Sequence, residues 1–213
     1  MEFPHLMRLM AENQWDTIYH EHFSYFSFAT ASRVFEHHGL RVFDVEELPT
    51  HGGSLRLYAC HADASHQQCE RAVELAERER LAGLLDLATY ASFGAGVAED
   101  KRQVLEFLIG LKRAGKRIVG YGAPAKGNTL LNFCGISTDF LDYTCDLNPH
   151  KQGLLLPGSH IPIRPPEALA DDQPDVVLIL PWNLRDEITE QLAHVRDWGG
   201  EFAARCPELR IVG

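Results

Sequence analysis

The sequence lacks a long apolar run and an excess of basic residues, and each absence excludes a class of protein. Its longest strictly aliphatic stretch, residues 176–180, is far shorter than the roughly 20 apolar residues of a membrane span. The first residues include Glu2 and no apolar segment, unlike a signal peptide. Lys and Arg number 20 against 30 Asp and Glu, a formal net charge of −10, which argues against nucleic acids and anionic membranes as partners. We therefore expect a soluble, cytoplasmic protein, and the composition makes no prediction about its oligomeric state.

Closely spaced cysteines are missing as well. The chain has five cysteines, at Cys60, Cys69, Cys134, Cys145 and Cys206, and no two of them form a C-x-x-C pair. An odd number of scattered cysteines suits a reducing compartment. Four of the five are flanked by apolar or small residues and are expected to be core thiols. A zinc site built from them alone would have no short-spaced pair to begin it, so no metal site is predicted.

The composition and the order of the elements predict an α/β protein. Hydrophobic residues make up 45% and charged residues 23% of the 213 residues, the balance of a globular chain with one large domain or two small ones. Strand-like and helix-like segments alternate after residue 116, which predicts a mostly parallel sheet covered on both faces. Residues 66–114 have the helical period, and we expect two helices broken near residues 93–96.

Individual elements follow from periodicity and from turn residues. In the first part we expect a helix around residues 6–10, a short strand over residues 16–19 and a helix over residues 30–38 that Gly39 ends. Residues 40–45 and 54–59 predict a hairpin and therefore an antiparallel edge. In the second part the expected strands are 117–121, 140–145, 176–180, 201–203 and 209–212, and the expected helices are 124–133 and 184–198.

The sharpest motif is a glycine-rich turn between a predicted strand and a predicted helix. It reads Gly120-Tyr121-Gly122-Ala123-Pro124-Ala125-Lys126-Gly127-Asn128. The first two glycines let the backbone turn and approach a ligand, and the free N–H groups at the helix start attract an anion, to which Lys126 adds a charge. Asp146 ends the next predicted strand roughly 20 residues later, the spacing of an acid that binds a ribose. The motif predicts a nucleotide site, and the alternative is a tight turn without a ligand.

A second motif concentrates acid–base side chains after the strand predicted at residues 16–19. It reads Tyr19-His20-Glu21-His22-Phe23-Ser24-Tyr25. Such a cluster can remove a proton from a sugar or carbonyl carbon, with His or Glu as the base and Tyr polarising the oxygen. His20 and His22 have the wrong spacing for a metal-binding pair on a helix. The alternative is a structural set of histidines.

Further loops follow predicted strands, and parallel sheets bind ligands where their strands end. They are Asn148-Pro149-His150-Lys151-Gln152-Gly153 and Pro181-Trp182-Asn183-Leu184. In the second loop, Asn183 has an alternative reading as the N-cap of a helix. His51-Gly52-Gly53-Ser54 is a turn-type link between the two strands of the predicted hairpin.

Together, the motifs at residues 19–25, 51–56, 120–128, 148–153 and 181–184 resemble the S-adenosylmethionine-dependent sugar C-methyltransferases, which act on nucleotide-linked ketosugars to build branched deoxysugars. The resemblance covers nearly the whole chain. It implies that residues 1–62 are the last part of a class I methyltransferase domain, that residues 63–86 are a helical connection, and that residues 87–213 are a Rossmann-like domain that binds the nucleotide sugar. The zinc domain of the family and its glycine-rich donor loop are expected to be absent from this chain.

The resemblance also implies residue roles. Tyr19, Glu21 and His22 would serve deprotonation beside the sugar ketone, with His22 the first choice of base. The enolate carbon would then attack the methyl group of S-adenosylmethionine, the implied cofactor, and no zinc is expected. The residues expected to hold the nucleotide-diphosphate sugar are Gly120, Tyr121, Gly122, Ala123, Pro124, Lys126, Asn128, Asp146, Asn148, His150, Lys151, Trp182 and Asn183.

Two other functions remain open at this point. A dinucleotide-binding oxidoreductase using NAD or NADP would explain the glycine-rich turn, but it predicts a third glycine where Pro124 and Ala125 stand. It also gives no role to residues 19–22. A non-catalytic module that binds nucleotide sugars is favoured by the expected absence of the donor loop.

Overall fold

The computed structural model describes residues 1–205 and 207–212, and the chain divides into two compact units. The first comprises residues 1–15 and 21–96, and the second comprises residues 16–20 with the chain from Val97 onward. The chain is α/β, as predicted. The division expected at residues 62 and 86 stays a prediction. No helix in the described part of the chain is long and apolar enough to span a membrane.

The first unit contains a three-stranded antiparallel sheet and the helices packed on it. Its elements are β1 (Glu2–Pro4), α1 (Leu6–Ala11), α2 (Phe28–His37), β2 (Leu40–Leu48), β3 (Ser54–His61), α3 (Glu70–Leu81) and the start of α4 (Leu87–Arg113). Strand β3 lies between β1 and β2 and is antiparallel to both. The predicted hairpin is therefore confirmed, while β1 was not predicted. Leu55, Leu57 and Val45 of the sheet pack with Phe28 of α2 and Leu75 of α3.

The helical middle breaks at residues 82–86 and not near residues 93–96 as predicted. Gly94 and Gly96 lie inside α4, a helix of 27 residues. A glycine costs a helix about 1 kcal/mol relative to alanine, which a helix of this length tolerates. Gly83 has the positive φ, +74°, that marks the real break. The predicted end of the second helix is confirmed, because Lys112 and Arg113 close α4 before the turn.

The second unit is built on a six-stranded sheet in the order β6-β5-β4-β7-β8-β9. Its elements are β4 (Ile118–Tyr121), α5 (Ala125–Cys134), β5 (Thr144–Cys145), β6 (Ile163–Arg164), α6 (Ala168–Asp172), β7 (Val176–Ile179), α7 (Arg185–Gln191), β8 (Glu201–Ala204) and β9 (Arg210–Val212). All neighbours pair in parallel except β9, which is antiparallel to β8. The predicted mostly parallel sheet is confirmed.

The strand order reverses at β4, and this reversal places the candidate site. From β4 the chain proceeds to β5 and β6 on one side of the sheet and then returns to β7 and β8 on the other. In open α/β sheets the crevice outside the carboxyl ends of the strands at such a switch point is where ligands bind. The turn after β4 and the loops after β5 and β7 all lie at this edge.

Several predicted elements differ in the structure. Residues 16–19 are not a strand, because Trp15–Thr17 form a 3₁₀ turn with Asp16 and Thr17 buried. The strand predicted over 140–145 is reduced to β5, and the helix predicted over 184–198 is α7 followed by the 3₁₀ segment Ala193–Trp198. The short elements β6 and α6 were not predicted.

The cysteines agree with the predicted core thiols only in part. Cys134 and Cys145 are buried, and burial raises the pKa of the Cys145 thiol to about 12. Cys60 and Cys69 are half-buried free thiols. Cys206 lies outside the described residues. Among residues 1–205 and 207–212, no group of three or more His, Cys, Asp or Glu side chains is placed to hold a metal ion.

Candidate functional site

The turn between β4 and α5 is tight because Gly122 has a φ of +88°. Its N–H donates to the Cys145 carbonyl at 2.6 Å. A Cβ atom on Gly122 would lie 2.5 Å from Cδ of Pro181, and one on Gly127 would lie 2.7 Å from Cβ of Leu180. Gly120 and Gly122 were predicted to admit a ligand. In this structure Gly122 and Gly127 admit the loop after β7, and a Cβ atom on Gly120 would lie 2.7 Å from Oγ1 of Thr144.

Lys126 joins the glycine-rich turn to that loop. Its Nζ donates to Oδ1 of Asn183 at 2.8 Å and lies 4.4 Å from the centroid of the Trp182 ring. An ammonium group within about 6 Å of an indole centroid is attracted to the ring face. Asn183 is exposed and lies in the 3₁₀ turn Trp182–Leu184 without capping a helix, so the N-cap reading of this residue is wrong.

Asp146 and Lys151 fasten the loop after β5 to the same turn. Oδ2 of Asp146 accepts the Ala123 N–H at 2.7 Å and lies 3.2 Å from Nζ of Lys151. Nζ of Lys151 also donates to the Ala123 carbonyl at 3.0 Å. Oδ1 of Asp146 accepts the Asn148 N–H at 2.8 Å, an Asx-type turn that organises the loop. A role for Asp146 toward a ribose stays a prediction.

The predicted substrate residues therefore fall into three groups. The first group consists of residues that contact one another: Lys126 contacts Trp182 and Asn183. In the same group, Ala123 contacts Asp146 and Lys151. A second group lies on the same loops: Asn148 and His150 are exposed, Pro124 precedes α5 as its N-cap, and Asn128 lies in its first turns. Gly120, Tyr121 and Gly122 form the third, buried group.

Tyr121 points into the core and not toward the loops. It is 3% exposed and packs with Tyr143, Cys145 and Ile179 on the face of the sheet that α7 covers. Burial raises the pKa of its hydroxyl, with the nearby Cys145 and Asp146 adding to the rise. Strand alternation places Tyr121 on the same face as Val119, which accounts for its direction.

The predicted acid–base residues lie in a segment without helix or strand. Tyr19 and His20 belong to the second unit, and their rings are 6.4 Å apart. Glu21 and His22 belong to the first unit, where the His22 ring meets Tyr25 edge to face at 6.2 Å. Tyr19 and His22 are half-buried, while Glu21 is exposed.

A buried carboxylate fixes the chain after this segment. Glu79 of α3 is 1% exposed and accepts the N–H groups of Phe28 at 2.6 Å and Ala29 at 2.8 Å, which begin α2. Nε2 of His5 lies 2.7 Å from the same carboxylate. An anion at a helix N-terminus satisfies N–H groups that have no partner within the helix.

Sequence reasoning missed a buried network in the second unit. Asp16 is fully buried, and its carboxylate accepts the Trp182 indole N–H at 2.8 Å and lies 3.2 Å from the Arg205 guanidinium. Nε of Arg205 donates to Asp100 of α4 at 2.9 Å. Burial raises the pKa of Asp16, and the Arg205 charge and the Trp182 hydrogen bond oppose that rise. The available signal was weak: Arg205 directly follows the apolar end of a strand.

The carboxyl edge suits an anion better than S-adenosylmethionine. Lys126 and Lys151 flank the turn, and cations there disfavour the positively charged sulfonium of the methyl donor. In the described residues of the first unit, no strand runs through a glycine-rich turn into a helix. The described residues therefore do not fit the methyl donor.

The fold is a Rossmann-like, mostly parallel sheet, and the candidate site lies at its switch point. Residues 49–207 match the family model of the C-methyltransferase C-terminal domain, and the chain belongs to that family. It is also 40% identical over 212 residues to the C-methyltransferase NovU of Streptomyces niveus, an alignment that takes in 100% of this chain and 50% of that protein. The chain thus spans about half the length of this relative. The family resemblance inferred from the motifs is confirmed.

The packing of Pro181 against the turn predicts different costs for two alanine substitutions. Gly122→Ala should lower the free energy of unfolding by about 2–5 kcal/mol, because the methyl group meets Pro181 and the φ is left-handed. Gly135→Ala is the matched control, since Gly135 has a φ of +73° but nothing within 4 Å of its Cβ position. Its expected cost is only that of placing a Cβ atom on a left-handed backbone, about 1–2 kcal/mol. Urea unfolding measures both, and equal costs would contradict the packing argument.

Proposed function

We propose that this chain is the nucleotide-sugar-binding portion of an S-adenosylmethionine-dependent C-methyltransferase that acts on a nucleotide-linked ketosugar. The observation that carries the proposal is the meeting of three loops at the carboxyl edge of the parallel sheet, with Lys126 and Lys151 beside the start of α5. Membership in the C-methyltransferase family supports the reaction class.

The diphosphate is assigned to the turn before α5. The first N–H groups of that helix and the ammonium of Lys126 are donors suited to phosphate oxygens. An amide oxygen and an aromatic face contact Lys126 in this structure, and both are weaker partners than a phosphate for an ammonium. Because the chain has a net charge of −10, affinity for an anion has to come from such placed donors and not from a general field.

The acid–base chemistry is assigned to the segment around His22. His22 takes the proton from the carbon beside the sugar ketone, and the electron pair of that C–H bond moves into an enolate. Tyr19 stabilises the charge that develops on the ketone oxygen, and Glu21 is the second acid–base group. The enolate carbon is the nucleophile that a C-methyltransferase requires.

Removal of the Lys126 charge tests the diphosphate site. Lys126→Ala should weaken the binding of a deoxythymidine-diphosphate sugar by about 10- to 150-fold, the value of one charge-assisted contact. Lys116→Ala is the control, because it removes the same charge at the opposite end of the sheet, where Lys116 forms an ion pair with Asp175. Calorimetric titration of the 213-residue chain measures both. Tighter binding of a nicotinamide dinucleotide than of the sugar nucleotide would favour the oxidoreductase instead.

The poor fit of the methyl donor gives a prediction about binding. The 213-residue chain should bind S-adenosylmethionine weakly or not at all, because two lysines lie beside its glycine-rich turn and no described strand of the first unit runs through a glycine-rich turn into a helix. Isothermal titration of the same preparation with the methyl donor and with deoxythymidine diphosphate compares the two ligands. Micromolar affinity for the donor would overturn this assignment.

The role of His22 is testable in an active enzyme that contains this chain. His22→Ala should lower turnover by roughly 10²- to 10⁴-fold, the usual contribution of a general base. Nucleotide-sugar affinity should change little, since the base acts at the reacting carbon and not at the phosphates. His20→Ala, two positions away on an exposed side chain, is the control and should stay near wild-type turnover. Wild-type turnover in the His22 variant would leave that residue a structural role.

A further inference from the structure

Asp16 connects the buried interior of the second unit to the loop after β7, whose Trp182 contacts Lys126. Its carboxylate is fully buried, accepts the Trp182 indole N–H at 2.8 Å and forms an ion pair with the Arg205 guanidinium at 3.2 Å. Arg205 is held in turn by Asp100 at 2.9 Å. A charged network this deeply buried is costly to disturb, because removing one member leaves another charge without its partner.

Trp182 contacts Asp16 through its N–H and Lys126 through its ring face, so it links the buried network to Lys126. Asp16 fixes the indole N–H, so the plane of the ring is set from within the unit. The face of that ring lies 4.4 Å from Nζ of Lys126. The neighbouring residue Pro181 occupies the space beside Gly122, which fixes the backbone of the same loop. Trp182 is 9% exposed, so little of its ring is left to meet a ligand directly.

We infer that Asp16 is a positioning residue for phosphate binding: by holding Trp182 it sets the place from which Lys126 reaches the diphosphate. The inference rests on the proposed function, in which Lys126 contacts that diphosphate. It assigns Trp182 the same indirect role, as the platform on which the lysine lies, in place of a direct contact with the sugar nucleotide.

A double-mutant cycle in the 213-residue chain separates positioning from general stability. Deoxythymidine diphosphate is the probe, and its affinity is measured for the wild type, Asp16→Leu, Lys126→Met and the double variant. Leucine removes the acceptor of the indole N–H, which asparagine would keep. If Asp16 acts through Lys126, Asp16→Leu weakens binding by about three- to tenfold when Lys126 is present and by less than about twofold when it is replaced. A structural role alone would weaken binding by the same factor in both backgrounds, and that result would overturn the inference.

Asp100→Asn is the matched control. It disturbs the same buried Arg205 through the second carboxylate that Arg205 contacts, so its effect on binding should not depend on Lys126. Coupling between Asp100 and Lys126 as large as that of Asp16 would show general loosening of the unit and would overturn the inference.

Two further outcomes are distinguishable. Trp182→Phe is measured in the same cycle, and it replaces Asp16→Leu if that variant does not fold. It removes the indole N–H while leaving Asp16 and Arg205 paired, so its coupling to Lys126 does not come from the Asp16 charge. Equal effects of Trp182→Phe with and without Lys126 would then overturn the inference. If the wild type does not bind deoxythymidine diphosphate, or if Lys126→Met leaves its affinity unchanged, the proposed function is overturned and the inference with it.

Discussion

Gly122 and Gly127 carry no side chains where the loop after β7 lies against the turn after β4, and the carboxyl edge of the parallel sheet depends on that close approach. With Pro181 and Leu180 seated beside the two glycines, the next residues of the loop reach Lys126. A methyl group at Gly122 would lie 2.5 Å from Cδ of Pro181, so one of the two loops would have to move. The two glycines therefore allow the two loops of the candidate site to pack against each other.

The charges of the molecule are arranged in two ways. Most of the acidic excess is at the surface, where ion pairs such as Lys116 with Asp175 contribute little to stability. A few charged groups are buried, namely Asp16 with Arg205 in the second unit and Glu79 in the first. Buried carboxylates need good partners to offset desolvation, and here the partners are a guanidinium, an indole N–H and the N–H groups of a helix start. These interactions fix backbone positions immediately before and after residues 18–26.

The family match covers the loops of the second unit but not the proposed acid–base segment. The family model begins at residue 49, after that segment, whereas the similarity to NovU takes in the segment too. The loops after β4, β5 and β7 all lie within residues 49–207. The proposed diphosphate site therefore lies in the part that the family model matches, and the proposed chemistry at His22 belongs to the residues before it.

Features that depend on neighbouring residues can be predicted from the sequence. Alternation and apolar runs predict β4 and β7, the glycine-rich turn lies between a strand and a helix, and two strands with only turn residues between them predict a hairpin. Features that depend on distant residues follow only from the folded chain. Asp16 and Thr17 are compatible with a strand locally, yet burial of the Asp16 carboxylate against Arg205 and Trp182 accompanies a 3₁₀ turn there. Gly94 predicts a helix end, but the rest of α4 outweighs its low helix propensity. Asn183, which accepts a hydrogen bond from Lys126, is 57 residues away in sequence. Hydrophobic periodicity reports only which face of an element is buried, and which polar groups meet is settled by long-range packing.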